Sequence, residues 1–322
     1  MKKQDRFWKA LCFGMIVAVL SGGCSGGNNA NAGEAEDMGQ ESAEPENVET
    51  EAVGPETVTA DGEAVPAEPE TEEADWSGYF DGLNGAAVIY DAPRGTYTVF
   101  HGELADTRRS PCSTFKIVSS LIALENGILE PGHSTRTWSG EVFWNEKWNR
   151  DMDFREAFRE SCVWYFRELT DEIGQETMQR ELERLSYGNC DSSDWEGRLN
   201  TNNNNRALTG FWIESSLAIS PKEQTQVMAR IFWEDSVYSE ETKEELRQVM
   251  AVAEQTRIPV YGKTGMGKAE GVTVDAWFTG FAQGKEGNTY FCVYLGQTDG
   301  RNVSSAAAKE IAIRLVSDYC ME

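Results

Sequence analysis

The chain has 322 residues, and its 54 acidic against 29 basic side chains give a formal net charge of −25 at pH 7. Because nucleic-acid binding requires a basic patch, this balance argues against a nucleic-acid partner. The 2 histidines and the spacing of the 7 cysteines offer no zinc-ligand pattern, so we expect no metal cofactor.

Residues 1–24 have the pattern of an export signal. Four basic side chains open the chain, and the apolar run Ala10–Leu20 is shorter than the roughly 20 residues that span a bilayer. Small residues then precede Cys24, which resembles a lipoprotein-type signal peptide whose cysteine is lipidated, although the leucine lies four residues before the cysteine instead of the usual three. We expect export and a lipid anchor at Cys24 on the outer face of the cell membrane. The alternative is an ordinary secretory signal, with Cys24 incidental and a secreted or periplasmic protein.

The segment that follows, residues 25–75, is strongly acidic. It holds about 16 acidic side chains and no basic ones, lacks aromatic residues, and has few large apolar residues. Such a composition cannot bury enough apolar surface to offset the entropy that is lost on ordering. We expect residues 25–75 to form a disordered tether between the membrane anchor and a folded domain.

The composition changes at Trp76, because all tryptophans except Trp8 lie from there onward. Residues 76–322 are long enough for one large domain or for two interleaved lobes. Five cysteines remain in this part. An odd number in an exported protein argues against a fully paired disulfide scaffold.

The predicted elements of the folded part change type along the chain. A β-hairpin at residues 85–101 turns at residues 92–95, a mostly helical block extends to about Met250, and strands return before a closing amphipathic helix. This order predicts an α/β fold in which an antiparallel sheet, built from both chain ends and flanked by helices, has a mostly helical lobe inserted between its halves. The predicted helices are Thr114–Asn126, Met152–Ile173, Gln175–Leu185, Pro221–Trp233, Glu240–Ala253 and Ser304–Tyr319, and the late strands are Arg257–Tyr261, Val272–Ala282 and Thr289–Leu295.

The stretch Pro111–Lys116 is the first candidate for catalytic chemistry. It places Ser113 and Lys116 three residues apart at the start of a helix, where positions i and i+3 share a face. Serine is a weak nucleophile at its free pKa and needs a neighbouring base, which Lys116 could supply. A Ser-x-x-Lys sequence also occurs by chance at solvated helix starts, so this pattern alone does not establish a site.

Three further motifs follow in order: Ser161-Cys162-Val163, Tyr187-Gly188-Asn189 and Lys263-Thr264-Gly265. Together with Ser113-Thr114-Phe115-Lys116 they resemble the serine β-lactamases and penicillin-recognising enzymes. The Ser-x-Val and Tyr-Gly-Asn versions are similar to class D, the oxacillinase type. The resemblance extends from about Trp76 to the C-terminus and implies a serine β-lactamase-like fold that hydrolyses β-lactam antibiotics.

The resemblance also implies how Lys116 becomes a base. An unperturbed lysine is protonated at neutral pH, so it must be desolvated or chemically changed before it accepts a proton. In class D enzymes the lysine takes up CO2 and becomes a carbamate, and no other cofactor is implied. Lys116 would then serve as general base for acylation and deacylation, with Phe115, Val163 and Trp212 around it and the Trp212 indole N–H donating to the carbamate.

The other matching residues would complete the reaction. Ser113 would form the acyl-enzyme, and Ser161 would bridge Lys116 and Lys263 and pass a proton to the β-lactam nitrogen. Lys263 would hold positive charge near the substrate carboxylate. Thr264 would donate a hydrogen bond to that carboxylate, and Gly265 would let the substrate approach the strand edge closely. The backbone N–H groups of Ser113 and Met266 would form the oxyanion hole. Tyr187-Gly188-Asn189 would shape the wall of the site.

One residue that the resemblance implies is missing. The family usually carries an arginine near the start of its last helix that binds the substrate carboxylate, and the corresponding stretch here, residues 304–309, offers alanines. Arg301 or Lys309 could substitute, or Lys263 and Thr264 could suffice. Cys112 and Cys162 flank the two serines and could form a redox link, or they could be small buried residues that fill space.

Two other functions share these motifs. The penicillin-sensor domain of a transmembrane receptor would hold its acyl-enzyme, but such sensors carry several membrane helices and a His-Glu-x-x-His protease, and this sequence has neither. A peptidoglycan D,D-peptidase would usually show Ser-x-Asn where this chain has Ser161-Cys162-Val163. We therefore expect a β-lactam-hydrolysing enzyme and keep both alternatives.

Overall fold

A six-stranded sheet forms the centre of the described structure. The computed structural model describes residues 69–199, 204–252, 254, 256–301 and 303–321, which belong to one compact unit, Pro66–Glu322. The strands are β1 (Glu70–Glu73), β2 (Gly85–Asp91), β3 (Thr96–Phe100), β4 (Val260–Ala269), β5 (Val272–Gln283) and β6 (Asn288–Gly296).

Helices occupy most of the remaining described chain. None of those in the described ranges is both long enough and apolar enough to cross a membrane. They are α1 (Ser77–Phe80), α2 (Gly102–Ala105), α3 (Lys116–Glu125), α4 (Phe154–Arg159), α5 (Val163–Ile173), α6 (Gln175–Leu185), α7 (Pro221–Phe232), α8 (Glu240–Met250) and α9 (Ser305–Tyr319), with short 3-10 turns at Cys112–Phe115, Pro131–His133, Glu146–Trp148 and Arg206–Leu208.

Both ends of the folded part contribute strands, as the sequence predicts. Across the sheet the order is β1-β3-β2-β6-β5-β4. The hairpin β2–β3 joins β6 through antiparallel pairing of residues 85–91 with 289–295, and β5 lies between β6 and β4. Helices α2 to α8 lie in the chain between β3 and β4. The predicted α/β fold with an inserted, mostly helical lobe is confirmed.

One strand lies where the sequence analysis expects a disordered tether. β1 pairs in parallel with residues 96–99 of β3 at the sheet edge, and its four acidic or threonine side chains are exposed. The backbone groups of an open edge can pair with another chain segment whatever its side chains are. Residues 70–73 are therefore part of the sheet rather than of the tether. The predicted signal of residues 1–24, the lipidation at Cys24 and residues 25–68 of the tether lie outside the described residues.

Two further differences from the predicted elements affect the site. The single helix predicted for residues 152–173 is two helices, α4 and α5, because the chain turns at Ser161, whose backbone is left-handed with φ = 54°. The strand predicted for residues 257–261 is the start of the longer β4. The Lys263-Thr264-Gly265 motif therefore lies within β4, beyond the end of the predicted strand. Backbone pairing with β5 extends β4 past Tyr261, although the apolar pattern of the sequence ends there.

The core is divided by the sheet, and the site lies beside the larger half. On one face, α1 and α9 pack against strand residues such as Phe278 and Phe291. On the opposite face, the helical lobe packs against Phe281 and Tyr290, and this core also contains Phe115, the neighbour of Lys116. Alternation along β5 and β6 explains the division, because successive strand side chains point to opposite faces.

Gly280 on β5 is a position where strand pairing leaves no room for a side chain. A Cβ there would lie 1.9 Å from the backbone oxygen of Tyr261 on β4. We expect Gly280→Ala to lower the free energy of unfolding by about 2–4 kcal/mol, measured by chemical denaturation. Gly132→Ala is the matched control, because a Cβ at Gly132 would meet nothing within 4 Å. An equal loss in both variants would contradict the prediction.

Candidate active site

Ser113 and Lys116 meet where a 3-10 turn passes into α3. The turn covers Cys112–Phe115 and α3 begins at Lys116, so the two side chains lie on one face. Lys116 Nζ is 2.9 Å from Ser113 Oγ. The left-handed backbone of Cys112, with φ = 49°, turns the chain into this arrangement. The predicted nucleophile and the predicted base are therefore in hydrogen-bond contact.

Hydrogen bonds from two neighbouring segments hold the 3-10 turn. Thr114 Oγ1 donates to the Pro111 carbonyl oxygen at 2.7 Å and accepts from Gln224 Nε2 of α7 at 2.9 Å. The Cys112 backbone N–H donates to the Trp212 carbonyl oxygen at 3.0 Å. The backbone around Ser113 is thus fixed relative to both α7 and the segment that carries Trp212.

Lys116 is buried, with 1% of its surface exposed. Desolvation is the main cause that lowers its pKa from 10.5 to about 8, against a smaller opposite effect of the Cys162 and Cys112 thiols. The Phe166 ring of α5 lies 5.3 Å from Nζ, and Phe115 stacks on Trp212 with the ring centroids 5.8 Å apart. These surroundings favour the neutral amine, which is the form that can accept a proton.

The Trp212 indole N–H is buried and has no hydrogen-bond partner among the described residues. A buried donor without a partner costs free energy. The indole N–H is therefore a donor available to a bound acceptor, and the class D resemblance assigns that acceptor to a carbamate on Lys116. The unpaired indole and the buried amine fit such a group.

Ser161 and Lys263 form a second pair beside the first. Lys263 Nζ is 3.1 Å from Ser161 Oγ and 3.1 Å from the Thr264 carbonyl oxygen. The left-handed turn between α4 and α5 presents the Ser161 hydroxyl to β4. No hydrogen bond joins Ser161 to Lys116 within the described part of the chain. The structure thus contains the Lys263 half of the predicted bridge and not the Lys116 half.

Lys263 is also buried, and its burial opposes a positive charge on the amine. The side chain is 4% exposed, and its Nζ lies 5.6 Å from the Phe158 ring centroid. Desolvation, followed by the charge of Lys116, lowers the pKa of Lys263 well below its usual value. Burial thus opposes a positive charge at Lys263, and its expected role near the substrate carboxylate stays a prediction.

Gly265 makes room for the nucleophile turn. A Cβ at this position would lie 2.9 Å from the Pro111 carbonyl oxygen and 3.0 Å from Thr114 Cγ2. The Pro111 carbonyl oxygen and the Thr114 side chain thus occupy the space that a side chain would need, and the expected close approach of substrate at Gly265 stays a prediction. Met266, the next residue, is 40% exposed and lines a cavity together with Ser113. The oxyanion hole that it would form with Ser113 stays a prediction.

The Tyr187-Gly188-Asn189 motif holds the segment behind the site. Asn189 Nδ2 donates to the Ser216 carbonyl oxygen at 2.8 Å, and Asn189 Oδ1 accepts from the Ala218 backbone N–H at 2.9 Å. A Cβ at Gly188 would lie 2.0 Å from the Ala218 carbonyl oxygen. The motif therefore fixes the chain that also carries Trp212.

The cavity is open, has a volume of about 420 Å³ and reaches both serines. Its lining contains both apolar residues and polar or charged ones. The apolar lining residues include Trp144, Trp148, Val163, Leu208, Ile213 and Met266, and the polar ones include Ser113, Ser161, Glu160, Glu214, Thr264, Lys268 and Ser305.

Several of these lining residues were not predicted from the sequence. Lys268 could have been found, because strand alternation from Thr264 would place it on the side of the motif that faces the cavity. Trp144 and Glu214 lie in loops, and no local sequence pattern marks them.

The two cations expected to replace the missing arginine are engaged elsewhere. The Arg301 guanidinium lies 3.1 Å from Asp81, and Lys309 Nζ lies 2.6 Å from a Glu254 carboxylate oxygen. Neither side chain is among the residues that line the cavity. These two substitutes are therefore not supported by the structure.

Cys112 and Cys162 are free, buried thiols. Burial raises the pKa of each to about 12. A thiol with so high a pKa is rarely present as the reactive thiolate. This favours the interpretation of both residues as small buried side chains over a redox link.

Lys116→Met tests what it costs to bury this amine. The pKa of Lys116 is about 8 in the folded state and 10.5 in the unfolded state, so burying the protonated amine lowers the free energy of unfolding at low pH. This destabilisation becomes smaller as the pH rises from about 8 to 10.5. We expect Lys116→Met to raise the free energy of unfolding by up to about 3 kcal/mol at pH 6, and by less at pH 9. Denaturant titrations at the two pH values measure this. Lys285→Met, at an exposed position, is the control, and a pH-independent gain in Lys116→Met would disprove the argument.

Comparison with known proteins identifies what this arrangement is similar to. The model of the family described as the penicillin binding protein transpeptidase domain matches residues 84–317. The probable β-lactamase YbxI of Bacillus subtilis is 30% identical over 241 residues, which cover 74% of this chain and 82% of that protein. The crystal structure of a class D β-lactamase from Bacillus subtilis superposes with a TM-score of 0.64 and 29% identity, covering 76% of this chain and 95% of that one.

A second kind of relative is also similar. The regulatory protein BlaR1 of Bacillus licheniformis is 29% identical over 247 residues, which cover 76% of this chain. The match spans only 39% of the length of that protein. The chain thus resembles both a β-lactamase and one part of a regulatory protein.

Proposed function

The chain belongs to the penicillin-binding protein transpeptidase family, in which it is similar to class D β-lactamases, and from this premise we propose that it hydrolyses β-lactam antibiotics through a Ser113 acyl-enzyme. The observation that carries the proposal is the buried Lys116 amine 2.9 Å from Ser113 Oγ. This pair supplies a nucleophile and a base in one apolar site. The similarity to YbxI, a probable β-lactamase, supports the same substrate class.

In acylation, Ser113 Oγ attacks the β-lactam carbonyl carbon while Lys116 takes the serine proton. The carbon–nitrogen bond of the ring breaks, and Ser161 Oγ gives its proton to the leaving nitrogen. Lys263 Nζ, 3.1 Å from Ser161 Oγ, orients this hydroxyl and helps to return a proton to it. Backbone N–H groups at Ser113 and Met266 would stabilise the oxyanion, which is worth a few kcal/mol in comparable sites.

Deacylation needs a base at the same place. A water molecule attacks the acyl carbonyl carbon and loses a proton to the base at Lys116; the bond from that carbon to Ser113 Oγ then breaks, and the proton passes from the base to Oγ. We propose that Lys116 is carboxylated, and that its carbamate supplies the general base for both halves of the reaction. The neutral amine and the unpaired Trp212 indole N–H are the features that support this.

The substrate would meet the enzyme outside the cell. The export signal at residues 1–24 and Cys24 support a lipid anchor on the outer face of the membrane, with secretion or a periplasmic location as the alternative. The acidic residues 25–68 would separate the catalytic domain from that anchor.

The similarity to BlaR1 supports a second candidate, a penicillin-binding sensor domain. Such a domain would use the same Ser113 acylation and differ in retaining the acyl group. The rate of deacylation therefore separates the two functions.

The test combines intact-protein mass spectrometry with nitrocefin and benzylpenicillin hydrolysis. We expect an adduct on Ser113 that forms and disappears within the time of turnover, no adduct in Ser113→Ala, and parental activity in the control Ser77→Ala, which changes an exposed serine. A Ser113 adduct stable for hours would instead establish the sensor function. Release of D-alanine from a D-Ala-D-Ala peptide without β-lactam turnover would establish the D,D-peptidase.

Trp212→Phe tests carboxylation of Lys116. The change removes the indole N–H but keeps a ring that can stack on Phe115. We expect Trp212→Phe to need about 10-fold more bicarbonate for half-maximal hydrolysis, since one hydrogen bond to a charged group is lost. Trp277→Phe is the matched control, because its buried indole N–H also lacks a partner among the described residues, and it does not line the cavity. Equal bicarbonate dependence in both variants would count against the carbamate.

A further inference from the structure

A β-lactam substrate carries a carboxylate, which a cation of the enzyme would bind. The identity of that cation is inferred on the basis of the proposed function. None of Arg301, Lys309, Lys116 and Lys263 is among the residues that line the cavity. The carboxylate of a β-lactam therefore requires another positive charge.

Lys268 is the one cation among the described residues that line the cavity. It is exposed and lies on β4 beyond Thr264 and Met266, which line the same cavity. Side chains two residues apart on a strand point to one face. Lys268 therefore extends the row that begins with Thr264, whose hydroxyl is expected to bind the carboxylate.

Glu214 fixes the backbone of Lys268 relative to the nucleophile. Glu214 Oε1 accepts the Lys268 backbone N–H at 2.7 Å, and the Glu214 backbone N–H donates to Ser110 Oγ at 2.8 Å. Ser110 Oγ also donates to the Trp212 carbonyl oxygen, which accepts from the Cys112 N–H. Glu214 has a left-handed backbone with φ = 51°, and the β4–β5 register shifts between Gly267 and Lys268. The extra residue at this register shift, Val274, lies on β5, so the alternation along β4 from Thr264 to Lys268 is unbroken.

Ser305 adds a second group that favours an anion. It is the first residue of α9, a helix of 15 residues, and it lines the cavity with Lys268. Ser304 caps this helix by accepting the Ala307 N–H at 3.2 Å. The positive end of the helix dipole therefore faces the cavity at Ser305.

We propose that Lys268, together with Thr264 and Ser305, binds the carboxylate of the β-lactam in place of the missing arginine, and that Glu214 is the positioning residue for Lys268. Lys268 of β4 and Ser305 of α9 lie on two different elements, and both line the cavity together with Thr264. Glu214 and Glu160 are the carboxylates of the cavity lining. Without Lys268 the lining would hold two carboxylates and no cation among its described residues, and it would repel an anionic substrate.

The experiment compares benzylpenicillin with its neutral methyl ester. The measured quantity is the second-order rate constant for acylation of Ser113, followed by intact-protein mass spectrometry, because it reports binding whether or not the adduct is later hydrolysed. We expect Lys268→Ala to lower this constant about 10-fold for the acid and to leave the ester within about 2-fold, since a hydrogen bond to a charged group is lost only with the acid. Lys268→Arg should retain the preference for the acid.

Control variants separate this role from a structural one. Lys285→Ala, which removes an exposed lysine outside the cavity, should change neither constant. Glu214→Gln keeps an oxygen acceptor for the Lys268 N–H and should keep the acid-to-ester ratio, whereas Glu214→Ala should lower it. Thermal unfolding of each variant checks that the fold is kept.

The outcomes distinguish the two proposals. The role of Lys268 would be overturned if both compounds acylate the parent and the acid-to-ester ratio of rate constants is unchanged in Lys268→Ala. The proposed function would then remain intact. An equal loss for acid and ester would do the same, because it would mark a structural effect. A parent that neither compound acylates at Ser113 would overturn the proposed function and the carboxylate site with it.

Discussion

The burial of one amine beside one hydroxyl is the constraint on which the site depends. At 2.9 Å, a protonated Lys116 would donate to Ser113 Oγ and could not remove its proton. Burial lowers the pKa of Lys116 from 10.5 to about 8, so that more of the amine is neutral near neutral pH than in an exposed lysine, since desolvation penalises the charged form. The aromatic rings of Phe115, Phe166 and Trp212 keep this surrounding apolar. The helical lobe thus has a chemical role besides its contribution to stability, because the helices that exclude water from the core also exclude it from the base.

A second common feature is backbone strain at the residues that aim the catalytic groups. Cys112, Ser161 and Glu214 all have left-handed backbones, although none is glycine, and all three lie at the cavity or beside its serines. Each such conformation costs about 1–3 kcal/mol and persists only where the surroundings hold it. The Cys112 N–H donates to Trp212 O, the Ser161 N–H to Phe158 O, and the Glu214 N–H to Ser110 Oγ. The fold holds the reactive serines and the end of β4 in place before any substrate binds.

The parts of the structure that follow from local sequence patterns could be predicted, and the parts that depend on tertiary contacts could not. Helix α6 has the predicted bounds, and the hairpin β2–β3 agrees within one residue, because apolar periodicity and turn residues specify both locally. The break at Ser161 was missed, since nothing in a serine marks a left-handed backbone. The strand β1 and the extension of β4 were missed because backbone pairing along a sheet edge stabilises segments that lack a strand-like pattern. Lys268 lies in this missed extension of β4. The pairing of Ser113 with Lys116 followed from their i, i+3 spacing, and that of Ser161 with Lys263 from the resemblance of the motifs.

An anion at Lys116, such as the proposed carbamate, would affect both the general base and the proton relay through Ser161 and Lys263. Both amines lie in a site of low dielectric, and the charge of Lys116 is a cause that lowers the pKa of Lys263. Replacing a cation by an anion at Lys116 would therefore allow Lys263 to stay protonated beside Ser161, since coupled sites titrate together. The base and the proton relay would then depend on the same negative charge. Without that negative charge, both the base and the protonated state of Lys263 would be lost together.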